Sequence, residues 1–413
     1  MKNRNIDTAF LRGMTQRRVS RRDFLRISGL SAATIAFAAA CGVKGQSNEG
    51  GPLTVEQFWS GKTGKGHINF ANWPLYMAEG QPELAQFTEE TGITVTYREV
   101  INEMPEWFAG TFQDLVAGKS IGYDLMVITN GSQFQKYVAG NTLAPLDHSR
   151  LPNFAANAAD SYKNSSYDAG NVHSIPWASG FTGLAYDPEK TGREITKLDD
   201  LRDPAFRGRI GLMGDLQELG NFGLWAVGKN PATSTPDDWR EAAAWLQELK
   251  DAGQILAFFD QDFIEAIEGG QTWISQAWSG DIFQAQLADS PLQFAIPEEG
   301  GTVWTDNMAI PVTAENPVDA IKLMDFFYEP EVAATLAEYI NYITPVPGAR
   351  DKVLAHAEAA ETDEDRAYLE ELADSVYVFP GASDYATVSY YRAFSSPEEE
   401  QEYNEIFEPI VSG

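Results

Sequence analysis

Residues Glu298–Pro311 read EEGGTVWTDNMAIP. Two glycines lead into a strand-like run in which Trp304 and Asp306 stand two apart. On an extended chain those two side chains share a face. A large ring and a carboxylate side by side are poor core chemistry, because a buried acid needs partners or loses its charge. A strand carrying that pair must therefore look at something other than an oily core. A second extended stretch, HSIPWASGFTGLAYD at His173–Asp187, is broken by glycines and suits a crossing between two lobes.

Working outward from these stretches, the chain alternates. The pattern predicts strands at 68–71, 93–97 and 123–128, separated by helices at 82–91 and 104–117. Pro82 stands near a helix start, and Gly92 and Gly118 stand just past helix ends. A short helix runs to Gly140. The alternation restarts with strands at 209–213, 255–259, 273–277 and 292–296, and a helix over 216–227. Thr235-Pro236-Asp237-Asp238 opens another, with a cap residue followed by proline and acids in the first turn. Helical patterns follow at 317–340 and 362–373, and Ser396-Pro397 opens a last helix. Strand–helix alternation implies largely parallel sheets covered on both faces. The expectation is an α/β protein of two lobes, with a ligand cleft at the carboxyl ends of the strands.

The chain has 413 residues, long enough for two lobes. Its net charge is −30, from 60 acidic and 30 basic residues, which argues against a nucleic-acid partner. Acidity is an ordinary route to solubility and is also compatible with a cationic ligand. The charge is uneven. The first forty residues hold eight Lys/Arg and two Asp, leaving 22 basic and 58 acidic residues in the remainder, a net of −36. Within that basic segment, SRRDFLRISGLSAATIAFAAACG has the form of a twin-arginine export signal, with Arg21 and Arg22 before a short apolar run. It ends at Cys41 in a box resembling a lipoprotein cleavage site, with Ala38 where leucine is usual. Cys41 is the only cysteine, so no disulfide forms within one copy, and a lipid anchor is its expected role. Residues 1–41 are thus expected to be signal and lipobox, and the Gly-rich residues 42–66 a flexible tether.

The usual reactive motifs are missing. His67, His148, His173 and His356 have no zinc spacing. Neither G-x-S-x-G nor a strand-linked G-x-G-x-x-G occurs. Gly61-Lys62-Thr63 has the tail of a phosphate loop, but Glu56 stands where its first glycine belongs. No metal or cofactor is expected. What remains is a set of aromatics and acids near loop ends: Trp73 and Tyr76, Asp215 and Glu218, Trp278, Trp304 and Asp306, and Tyr342. Each has a plainer explanation. Asp215-x-x-Glu218 before an apolar helix is also a capping-box pattern, and Trp73 and Trp278 would serve as core.

The chain resembles the substrate-binding proteins of spermidine/putrescine ABC transporters. The shared motifs are NW..Y at Asn72, Trp73 and Tyr76, YDL.V at Tyr123–Val127, SIP at Ser174–Pro176, and EGG..W.D..AIP at Glu299–Pro311. The similarity spans residues 67–350. It implies the two-lobed periplasmic-binding-protein fold, with residues 67–180 and 305–343 as lobe 1 and 181–304 and 344–413 as lobe 2. By matched position, Trp73, Tyr76, Trp278, Trp304 and Tyr342 would flank a linear polyamine, and Asp215, Glu218 and Asp306 would bind its ammonium groups. Thr129 falls where the family has a hydroxyl. Just after it the family has an aromatic, and this chain reads Asn130-Gly131-Ser132. A family amide position has no clear match among Gly381–Phe394. The resemblance further implies a non-enzymatic monomer outside the cytoplasmic membrane that hands its ligand to a permease. The alternatives are another small organic cation or solute, or a secreted glycoside hydrolase using a carboxylate pair.

Overall fold

A computed structural model describes residues 52–412. The twin-arginine segment and Cys41 lie outside the described residues. Ten strands form one sheet: β1 (His67–Asn72), β2 (Thr94–Glu99), β3 (Leu125–Thr129), β4 (Ser174–Tyr186), β5 (Ile210–Met213), β6 (Ile255–Phe259), β7 (Ile274–Trp278), β8 (Gln293–Ala295), β9 (Gly301–Ala309) and β10 (Val388–Ser389). The order is β2-β1-β3-β9-β4-β7-β5-β6, with β8 beside β4 and β10 beside β9. In lobe 1, β1 runs parallel to β2 and β3. In lobe 2, β5 runs parallel to β6 and β7.

The antiparallel strands β4 and β9 join the two parallel sets. The first part of β4 pairs with β9, from Ser174 opposite Ala309 to Thr182 opposite Thr302. Its last part pairs with β7, from Thr182 opposite Trp278 to Tyr186 opposite Ile274. β9 returns to lobe 1 and ends against β3, with Asp306 opposite Thr129. Every residue of β4 and β9 is buried. The two stretches that opened the sequence reading are therefore the two crossing strands.

Each parallel set is covered on both faces. Along β3, Leu125 and Val127 join one apolar cluster, while Met126 and Ile128 join another on the opposite face. In lobe 2, Trp239, Ala242, Leu246 and Leu249 recur at helical spacing along Pro236–Asp251 and pack in one cluster with Tyr403 and Phe407 of Pro397–Ser412. Trp239 is fully buried and donates its indole N–H to Ser234 Oγ at 2.9 Å. Replacing that ring by alanine would cost about 3–5 kcal/mol.

Three expectations need correction. The segment read as a tether is ordered from Thr54, which caps the helix Val55–Trp59 in a capping box with Gln57. Phe58 and Trp59 are buried, and the Trp59 indole donates to the Pro145 carbonyl at 2.7 Å. Two adjacent rings outweigh the glycines around them. The 317–340 pattern is two helices, Pro317–Phe326 and Pro330–Ile340. Pro330 disfavours helical geometry at Glu329, whose ψ is 127°. Finally, the helices Ala349–Ala359 and Asp363–Asp374 pack with lobe 1, not lobe 2. Val353, Ala357, Leu369 and Leu372 share a cluster with Leu336 and Ile340 of the preceding helix.

Candidate functional site

β9 places Trp304 and Asp306 on one face, and the residues around them explain why. Asp306 is 5% exposed and accepts from two hydroxyls: Tyr76 to Oδ2 at 2.6 Å and Thr129 to Oδ1 at 2.5 Å. Thr129 is its cross-strand neighbour, and Tyr76 comes from the turn after β1. Burial pushes the Asp306 carboxyl up to about 6, with the two hydroxyl bonds pulling the other way. Burial, aided by the Asp306 charge, raises the Tyr76 phenol well above its ordinary range.

A chain of rings leads away from Asp306. Tyr76 meets Tyr342 edge-on at 6.1 Å, Tyr342 meets Trp304 at 5.2 Å, and Trp304 meets Trp278 at 6.5 Å. These geometries suit ring quadrupoles. Gly180, opposite Trp304 on β4, permits the approach: a Cβ there would come within 2.3 Å of the Trp304 ring. Trp73 stands apart from this chain, half-buried, with its indole N–H donated to the Val127 carbonyl at 3.1 Å.

The chain of rings ends at Glu218 in lobe 2, which is 3% exposed. Its Oε1 accepts from Tyr391 Oη at 2.6 Å, Thr182 Oγ1 at 2.8 Å and the Trp278 indole at 3.3 Å. Its Oε2 is buried with no hydrogen-bond partner. Burial pushes this carboxyl up to about 7, and the nearby Asp215 charge adds to the rise. Asp215 is the N-cap of the helix Leu216–Ala226, with Oδ1 accepting from the Gln217 and Glu218 amides at 2.9 Å each. Half of the capping-box reading therefore holds. The other half does not, because the Glu218 side chain turns to the cleft instead of back to the cap.

The lobes touch across this cleft. The Ser132 amide donates to Gln217 Oε1 at 3.1 Å, Gln261 Nε2 donates to the Asn102 carbonyl at 3.0 Å, and Lys136 pairs with Glu400 at 2.8 Å. Of the nine positions singled out in the sequence, eight are joined by hydrogen bonds and ring contacts, and Trp73 bonds instead to the Val127 carbonyl on β3. Sequence reading missed Thr182 and Tyr391. Thr182 lies on the crossing strand β4, where alternation alone would have placed it beside Gly180. Tyr391 belongs to the C-terminal segment that offered no match to the family pattern.

Among the described residues, no cluster of histidine, cysteine and acid side chains is arranged to hold a metal. The donors on Asp306 and Glu218 are all neutral. Two buried carboxylates without a built-in cation, joined by a wall of rings, are chemically suited to positive charge carried on an apolar frame.

Comparison with known proteins agrees with this architecture. Residues 84–367 match the model of the bacterial extracellular solute-binding protein family. The spermidine/putrescine-binding periplasmic protein of Escherichia coli K12 is 33% identical over 293 residues, covering 68% of this chain and 78% of the relative. The putrescine/cadaverine-binding protein of Pseudomonas aeruginosa is 30% identical, covering 66% and 78%. In fold, the chain is similar to the crystal structure of a spermidine/putrescine ABC transporter substrate-binding protein from Streptococcus pneumoniae. The TM-score is 0.69 at 24% identity, covering 83% of this chain and 98% of that one. The chain belongs to the bacterial extracellular solute-binding protein family.

Proposed function

We propose that the cleft captures a linear polyamine of the putrescine/spermidine class outside the cytoplasmic membrane and that the protein delivers it to an ABC permease. The observation that carries this reading is the pairing of Asp306 and Glu218: one buried acid from each side of the crossing, each supplied only with neutral donors, at opposite ends of a ring chain. A polyamine alternates positive nitrogens with methylene runs. Rings serve both parts, by burial and by cation–π attraction of about 0.5–2 kcal/mol each. Carboxylate–ammonium bonds add about 1.5–3 kcal/mol each. The gross gain exceeds the roughly 8 kcal/mol of a micromolar complex. Desolvation, ligand ordering and lobe closure take up the surplus.

The role of each residue follows. Asp306 and Glu218 neutralise ammonium groups, with Glu218 Oε2 as the acceptor left open. Asp215 contributes through Oδ2, the oxygen its capping bonds do not use. Tyr342, Trp304 and Trp278 line the alkyl chain, Trp73 bounds the site from the β1 side, and Tyr76 and Thr129 orient Asp306. The protein works as a monomer and binds without turnover. The N-terminal segment supplies export by the twin-arginine route and a lipid anchor at Cys41. If so, Cys41→Ala leaves the membrane fraction, whereas a variant that stays there, with no lipid mass on wild-type Cys41, would exclude the anchor. Calorimetric titration with a panel of polyamines, amino acids and sugars tests the main reading. Heat is expected with diamines and triamines and none with neutral sugars, and the reverse pattern would sink the proposal.

A further inference from the structure

The C-terminal segment contributes a wall to the cleft that the nine sequence-derived positions do not include. β10 pairs in parallel with the start of β9, Val388 opposite Gly301 and Ser389 opposite Thr302. That pairing launches the next three residues across the junction of the lobes. Tyr390 packs edge-on against Tyr167 of lobe 1 at 5.1 Å. Tyr391 donates to Glu218 of lobe 2 at 2.6 Å. Arg392 pairs with Glu399 at 2.5 Å, donates to the Ser234 carbonyl at 2.8 Å, and lies 5.3 Å from the Trp239 ring centroid. Gln217, between Asp215 and Glu218, donates to the Arg392 carbonyl at 3.3 Å and accepts from Ser132 of lobe 1. The segment is thus pinned to both lobes.

The Tyr391 ring packs beside a glycine of lobe 1. Gly131 has φ of 133°, a conformation that favours glycine. A Cβ there would sit 3.1 Å from Gln217 Oε1 and 3.6 Å from the Tyr391 ring. No side chain projects from position 131, and the Tyr391 ring lies beside it at a distance at which a Cβ would make ordinary van der Waals contact. Three donors saturate Glu218 Oε1 and fix that ring, while Oε2 stays open beside it.

We propose that Tyr391, held beside Gly131 by the C-terminal segment, is the end wall of the cleft and the residue that selects amines by the length of chain that fits with its terminal ammonium at Glu218. The inference rests on the polyamine reading and adds the discriminating residue. A wall held by both lobes admits a slim primary ammonium to Oε2 and excludes a chain that must run past it.

The test measures the affinities of wild type, Tyr391→Phe and Tyr391→Ala for putrescine, spermidine and spermine. Circular dichroism and melting first establish that each variant is folded, with Tyr391→Leu replacing the alanine variant if that one is not. Tyr391→Phe should weaken all three ligands several-fold and keep the wild-type ratios. Tyr391→Ala, or Leu, should shift the spermine-to-putrescine affinity ratio towards spermine by about tenfold or more, because the steric exclusion is what has been removed. A uniform loss across the three amines, or ratios within about twofold of wild type, overturns the inference. Wild type that binds none of the three refutes the polyamine reading itself, which keeps the two failures distinct.

Discussion

Glu338 is buried in lobe 1, and His356 brings a cation to it: Nδ1 lies 2.6 Å from Glu338 Oε1, and Nε2 lies 2.9 Å from Glu331 Oε1. The Glu338 bond is the main cause that lifts His356 to about 9, so the imidazolium is present throughout the neutral range. Asp306 and Glu218 are as deeply buried, yet they receive only hydroxyls and an indole. The first arrangement ties the helix Pro330–Ile340 to Ala349–Ala359 and is complete within the chain. The second has no counter-charge from the chain, and on the proposed function a ligand cation supplies it. The difference teaches that an acid given its counter-charge by the fold is structural, whereas one left without it beside a wall of rings is a candidate for a cationic ligand.

Breaking the receptive set should give the largest effect. Asp306→Asn keeps the shape and removes the charge, so polyamine affinity should fall by about 2–5 kcal/mol, with Glu218→Gln comparable. Melting of the ligand-free protein should hold or rise, since a costly buried charge is gone. A folded Asp306→Asn protein that binds as tightly as wild type would erase the distinction drawn above.

Breaking the structural set should do the opposite. His356→Ala leaves Glu338 buried without its cation and should cost about 3 kcal/mol of stability at pH 6, with affinity of the folded fraction unchanged. The folded pKa of His356 is raised, so its contribution is full below about 6.5, the unfolded value, and is lost as pH rises through about 9. Denaturant unfolding at pH 6 and pH 10 should therefore show the penalty shrinking.

Trp304→Leu sharpens the comparison within the site. It keeps an apolar wall and loses the ring face, so affinity should fall by only about 1–2 kcal/mol. Titration beside the Asp306 variant separates charge from ring.

A buried acid away from both sets is Glu83, which has neither carboxylate oxygen hydrogen-bonded and is pushed up to about 7 mainly by burial. Its folded pKa is raised, so the folded state binds the extra proton and stability falls as pH rises from about 4.5 to 7. Relative to wild type, Glu83→Gln should gain about 2–3 kcal/mol of stability between pH 5 and pH 8. Equal melting of the two proteins at both pH values would count against it.

Much of this was legible in the sequence because local chemistry and global fold agree there. Trp-x-Asp on a strand flagged β9, and glycine-broken length flagged β4. The Thr235-Pro236 cap and the alternation of apolar runs placed the helices and the parallel strands. Three features were not legible, each because a tertiary partner decides it. The Val55–Trp59 helix depends on Pro145 and lobe 1 to bury its rings. The helices Ala349–Ala359 and Asp363–Asp374 side with lobe 1, where His356 meets Glu338, a contact no local pattern announces. Tyr391 reaches Glu218 across 173 residues of sequence, and only the short β10 pairing puts it there.

The central claim is that the cleft's acids lack a counter-charge until an organic cation enters. Calorimetry of putrescine binding from pH 8 to pH 5, in buffers of differing ionisation heat, tests it directly. The ligand needs both carboxylates ionised, and burial holds them at about 7 for Glu218 and about 6 for Asp306. Affinity should therefore fall as pH drops through 7 and then 6, by roughly 10- to 1,000-fold in all. Binding near pH 6 should release protons to the buffer. Binding that is absent throughout, or that holds its strength from pH 8 to pH 5 without proton release, would contradict the account.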